Sequence, residues 1–90
     1  MNTVQLAEQY AELVREAEEK IAESGYTVEE LDRFTDRILN FPTLAVMTEV
    51  IAQEYSVDEQ WRLAEAMQWA CTFHWAGLME MRLQKAHPIH

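Results

Sequence analysis

Several things are scarce in this 90-residue chain, and each scarcity excludes something. Cysteine occurs once, at Cys71. No disulfide can form within the chain, and a reducing, cytoplasmic location is expected. Two glycines and two prolines supply too little turn chemistry for a fold of short strands. No stretch reaches the roughly 18 uninterrupted apolar residues of a membrane span. The opening segment, NTVQLAEQYAELV, has the periodicity and charge of a helix, whereas a secretory leader opens with basic and then apolar residues. Positive charge is also short, with 7 Lys and Arg against 16 Asp and Glu and a formal net charge of −9. Direct nucleic-acid binding is not expected, because phosphate neutralisation needs clustered cations. Gly25 and Gly77 stand alone, so no glycine-rich phosphate loop exists.

What remains is 49% apolar and 26% charged, the composition of a globular chain, not a disordered one. Residues 1–90 fit one domain. A chain this short buries only about 60% of its unfolded surface, so its core is either economical or shared. The negative charge is unevenly placed. Residues 1–59 hold 14 acids against 4 bases, a net −10, whereas residues 60–90 hold 2 acids against 3 bases, a net +1.

Helical signals account for nearly the whole chain. A first helix is predicted from Asn2 or Thr3 to Ser24, with Gly25 supplying a left-handed cap. Its apolar residues, Leu6, Tyr10, Leu13, Val14, Ala17 and Ile21, fall within an arc of roughly 120°. Glu8, Glu12, Glu16, Glu19 and Glu23 gather on the opposite side. Thr27 followed by Glu30 reads as a capping box for a second helix. Val28, Leu31, Phe34, Ile38 and Leu39 form its apolar face, Glu29 and Arg33 are placed to pair, and Pro42 ends it. A short third helix is predicted from Thr43 to Glu54. Ser56 and Glu59 form another capping box, opening a fourth helix that runs without a breaker to about Ala86.

Thirty helical residues would measure about 45 Å, whereas a compact 90-residue domain is only about 30 Å across. The fourth helix is therefore expected to bend at Gly77, overhang, or complete its burial against another chain. It is apolar around most of its circumference. Leu63, Met67, Ala70, Cys71, His74, Gly77, Leu78 and Met81 form the predicted core stripe, with Trp69 and Phe73 on one flank and Trp61, Trp75 and Met79 on the other. A helix of that kind is central, and one tryptophan flank is a contact surface if the shorter helices leave it bare.

His74 at the centre of that stripe is expected to be buried, neutral and hydrogen-bonded to a neighbouring helix. Cys71, His74, His87 and His90 have spacings that resemble a zinc-ligand set. Against that reading, the second pair follows a long helix and would have to fold back to residue 71. A magnesium site of paired carboxylates needs EExxE and ExxD motifs on separate helices. Glu18, Glu19 and Glu23 are one residue too long for the first motif. Glu29 and Asp32 follow too closely to supply the second. No nucleophile, base and orienting group can be assembled.

These patterns point to an all-α fold, a small four-helix domain with three shorter helices packed on a long Trp- and Met-rich C-terminal helix. They favour a non-enzymatic, cytoplasmic protein-binding module with no cofactor. The leading reading is a small acidic inhibitor or accessory factor, of phage or bacterial type. It would dock Glu8, Glu12, Glu16, Glu19 and Glu23 on a basic protein partner. Carboxylates about 6 Å apart roughly match two phosphate rungs of 3.4 Å rise, so a nucleic-acid-binding protein could accept this face as a mimic of its ligand. The second reading is a homodimeric structural or adaptor protein associating through Trp61, Trp69, Phe73, Trp75 and Met79. The third is a metal-dependent site.

Overall fold

A computed structural model of the chain, described over residues 2–86, contains four helices. They are α1 (Thr3–Ser24), α2 (Val28–Leu39), α3 (Leu44–Glu54) and α4 (Val57–Ala86). Each begins where a side chain satisfies the unpaired N–H groups of its first turn. The Asn2 side chain accepts from the Gln5 N–H at 2.9 Å while the Gln5 side chain accepts from the Asn2 N–H at 3.2 Å. Thr27 with Glu30, and Ser56 with Glu59, close the same reciprocal box. Thr43 caps α3 by accepting from the Val46 N–H at 3.1 Å. Gly25, at φ 84°, ends α1 in the left-handed region, where a side chain would be strained. The helix boundaries therefore fall where the capping residues and Pro42 place them.

α1 and α4 run antiparallel along their whole shared length. Ser24 and Lys20 line a groove with Arg62 and Ala66 at one end, and Val4 and Ala7 line another with Leu83 and Gln84 at the other. The contact is built on small residues. Ala17 of α1 and Ala66, Ala70 and Ala76 of α4 are buried, so the two backbones can approach closely without forcing side chains from their rotamers. α2 lies across the first half of α4. There Ile21, Leu31, Leu63, Ala66 and Ala70 form the core, with Phe34, Met67, Trp69 and Phe73 packed around it. Leu31 is the largest side chain wholly removed from solvent.

α3 is attached more loosely. None of its residues is buried. Its firmest tie is polar, the Arg37 guanidinium of α2 donating two bonds of 2.6 Å to the Glu54 carboxylate. Phe34 stacks edge-on to Tyr55 just beyond, with ring centroids 5.7 Å apart. Between α2, α3 and α4 an apolar cleft of about 250 Å³ stays open, lined by Ile38, Met47, Ile51, Leu63 and Met67.

The molecule is elongated, 53 × 28 × 21 Å, with a radius of gyration of 16.4 Å against about 12 Å for a compact chain of this length. It exposes 6679 Å², whereas a globular monomer of its mass exposes about 5,500 Å². α4 remains helical through Gly77 and spans most of the long axis, so the mismatch between helix length and domain size is resolved by elongation. Among the described residues, no helix is long and apolar enough to cross a membrane.

The face of α4 that forms the core differs from the predicted stripe. Leu63 and Ala70 are buried and Met67 half-buried, but Cys71, His74, Leu78 and Met81 are exposed. The α1-facing side is instead Ala66, Ala70, Phe73 and Ala76, with Trp69 beside them. The physical reason is that α4 is apolar all round. Hydrophobic periodicity then has no preferred direction, and the side that admits the closest helix, the alanine side, is taken by α1. Leu39, at 76% exposure, likewise lies outside the α2 core face.

Candidate functional site

Two surfaces carry the residues singled out by sequence. The first is the outer face of α1. Because Leu6, Tyr10, Leu13, Val14, Ala17 and Ile21 are half-buried or buried, the residues opposite them are turned outward, and Glu8, Glu12, Glu16, Glu19 and Glu23 are all exposed. They extend over about 22 Å of helix. Glu16 and Lys20, four residues apart, form no ion pair. Lys20 pairs with Glu23 at 3.7 Å, three residues on, where the carboxylate stands at the negative end of the helix dipole and gains more from a cation. Among the described residues, Glu8, Glu12, Glu16 and Glu19 have no cationic partner within 4.0 Å. Glu8 also edges a groove of about 260 Å³ shared with Glu80, Leu83 and Gln84 of α4, so the negative rim reaches the second helix. Glu29 and Arg33 form no ion pair either; the cation that α2 engages is Arg37.

The second surface is the side of α4 turned away from α1. The two aromatic flanks prove unequal. Trp69 and Phe73 pack against the core and Met79 is half-buried. Trp61 is 73% exposed and Trp75 52%. Trp75 is steadied by the Tyr10 ring of α1, edge-on at 5.1 Å, which still leaves half of the indole open. Val57, Leu78 and Met81 are also exposed.

His74 is not buried. Its Nε2 lies 2.9 Å from the Asp32 Oδ1 of α2, with both side chains about half exposed. The expected tie to a neighbouring helix is present, but at the surface, where water screens it. It is an ion pair whenever the imidazole carries a second proton. Cys71 is an exposed free thiol. His87 and His90 lie outside the described residues, and with them the second half of the zinc-like spacing. Among the described residues, no three His, Cys, Asp or Glu side chains converge as a metal-binding group. Glu18, Glu19 and Glu23 on α1 are not gathered with Glu29 and Asp32 of α2.

Two carboxylates are tuned by clear partners. Arg37 holds the Glu54 carboxyl below the usual range and is itself raised by Glu54. The Ser56 N–H and hydroxyl hold Glu59 low as part of the α4 cap. Both are structural arrangements: one fastens α3 to α2, and the other starts a helix.

No family model matches this sequence, and neither a curated protein nor a solved structure matches it.

Proposed function

We propose that the protein acts by binding another polypeptide and not by catalysis, presenting the outer face of α1 to a basic partner. The observation that carries this reading is the state of Glu8, Glu12, Glu16 and Glu19: exposed, on one face of a rigid helix, and unpaired among the described residues. Like charges at i, i+4 spacing destabilise a helix that has no use for them, and the two cations of α1, Arg15 and Lys20, leave its six carboxylates in large excess. The apolar side of α1 is turned onto α4, with Ala17 and Ile21 buried, so the ridge is held in one orientation, and a partner does not have to order it on binding. The natural partner is a protein with a Lys- and Arg-rich surface, such as one that otherwise holds nucleic-acid phosphates. An inhibitor or accessory factor, working inside the cell, fits that chemistry.

The test is capture from extract of the organism that encodes the chain, at about 50 mM and about 200 mM salt, with wild type and a Glu12→Lys, Glu16→Lys, Glu19→Lys variant. A partner held through the ridge is retained at low salt, released at the higher, and lost in the charge-reversed variant while its helical circular dichroism is unchanged. An identical set of captured proteins from wild type and variant would reject the ridge as the binding surface.

A further inference from the structure

The outward face of α4 carries a spacing that its composition conceals. Trp61, Ala64, Gln68, Cys71, Trp75 and Leu78 follow one another in alternating steps of three and four, and every one of them is exposed. Val57 and Arg82 continue the pattern by one step at either end and are exposed too. This is the 3.5-residue repeat that keeps one stripe of a helix against a second helix over many turns. The opposite side of α4 has the same repeat, through Ala66, Ala70, Phe73, Gly77 and Glu80, and α1 lies along it. α4 is therefore a helix with two seams, one occupied by α1 and one bare except where Ala64 borders the cleft toward α3.

We propose that the bare seam is occupied by the same seam of a second copy of this chain, running antiparallel about a two-fold axis level with residues 69 and 70. Three observations choose this occupant and this direction. The first is size. In the antiparallel register Trp75 faces the partner's Ala64, Trp61 faces the partner's Leu78, and Gln68 faces the partner's Cys71, so large residues meet smaller ones. A parallel pairing in register would set Trp61 on Trp61, Trp75 on Trp75 and Arg82 on Arg82.

The second observation is charge. α4 begins with Asp58 and Glu59 and ends with Arg82 and Lys85. An inverted copy lays each acidic end beside a basic one and opposes the two helix dipoles. The third is area. The protomer exposes 6679 Å², more than 1,000 Å² above the roughly 5,500 Å² expected for its mass. A specific interface removes about 800 Å² from each partner. The result is a layer of four long helices, α1, α4 and their two symmetry mates, with both α1 acidic faces left outermost. This pairing uses neither the ridge nor its partner, so the two proposals stand or fall separately.

Sedimentation equilibrium of the full chain at about 50 μM should give twice the 10.6 kDa chain mass. Gln68→Lys, at an exposed position, brings two ammonium groups together near the axis, and Trp61→Ala removes the end anchor. Each should return the mass to that of one chain, with helical circular dichroism unchanged. Direction is read separately, from spin labels on Asp58→Cys in a Cys71→Ser background. Antiparallel pairing separates the labels by about 35–40 Å, parallel pairing by less than about 20 Å. A single-chain mass for the wild type overturns the proposal. So does a dimer that survives both substitutions, or a short label distance.

Discussion

The two sides of α4 are nearly equal in grease and opposite in fate. Toward α1 stand Ala66, Ala70 and Ala76, buried to within a few per cent. Outside that contact stand Trp61, Leu78 and Trp75, the last touching α1 only edge-on through Tyr10, each between 45% and 73% exposed. Transfer energy alone would bury the tryptophans first, since an indole removes far more area from water than a methyl group. The alanines win because burial within one short chain is limited by what can approach. A 22-residue helix lies along a row of small side chains and buries its own Ala17 and Ile21 in doing so. Centred on Trp61 and Trp75 it would be held off. The apolar area of a residue and its place in a core are separate quantities, and in a chain of this size the second is set by the partner helix.

That contrast can be tested by substitution. The largest expected loss is at the three-helix junction. Leu31→Ala empties the one large side chain wholly removed from solvent and should cost about 2–5 kcal/mol, a large share of the stability of so small a domain. Urea unfolding would measure it; a cost below about 1 kcal/mol would mean that the junction is loose. Next comes the α1–α4 contact itself. Ala76→Leu should destabilise by about 1–3 kcal/mol through overpacking against α1. Trp61→Ala deletes much more apolar surface, yet should shift folding of the protomer by no more than about 0.5 kcal/mol. If these two effects came out reversed, the assignment of the occupied side would be wrong.

Acid should loosen α3 and the start of α4 before it reaches the α1–α4 contact. Glu54 and Glu59 have folded pKa values below the ordinary carboxyl value of about 4.3. Their stabilisation is therefore complete above that value. It declines as the pH falls below it, and is gone once the pH has passed the lowered folded values. Thermal unfolding followed from pH 6 down to about pH 3 should show this decline, and Glu54→Gln should flatten part of it. An acid limb identical in wild type and variant would dismiss the Arg37–Glu54 tie. The smallest effect is expected at the exposed pair of His74 and Asp32. His74→Ala should move Tm by less than about 2 °C, since the imidazole is a surface tether and carries no core packing. Relieving the α1 ridge by Glu19→Lys should raise Tm by about 2–4 °C.

Element boundaries were readable from the residues because they are settled locally. Asn2, Thr27, Thr43 and Ser56 each cap the N–H group three residues ahead, and Gly25 and Pro42 act on their own backbone. No distant contact is needed to decide any of these. The acidic face of α1 was readable for a related reason: α1 is two-faced, so fixing its apolar side fixes the other. His74 and Cys71 lie outside the core, against the periodicity, for the converse reason. On a helix apolar all round, an average over 3.6 residues per turn returns a broad stripe whose centre follows the larger side chains. The occupied side is instead centred on alanines. The exposed heptad from Trp61 to Leu78 is visible in the letters, but a second heptad lies across from it, and periodicity cannot say which of the two is covered.

Sequence by itself determined four helices, their starts and stops, and an uninterrupted row of glutamates along the first, because capping, helix-breaking and amphipathic spacing act within a few residues. Tertiary structure alone decided which side of α4 is core, why Trp61 and Trp75 stay largely in water, and that His74 meets Asp32 at the surface. Those outcomes depend on how closely two helices can approach, and that distance is set by pairs of surfaces far apart in the chain.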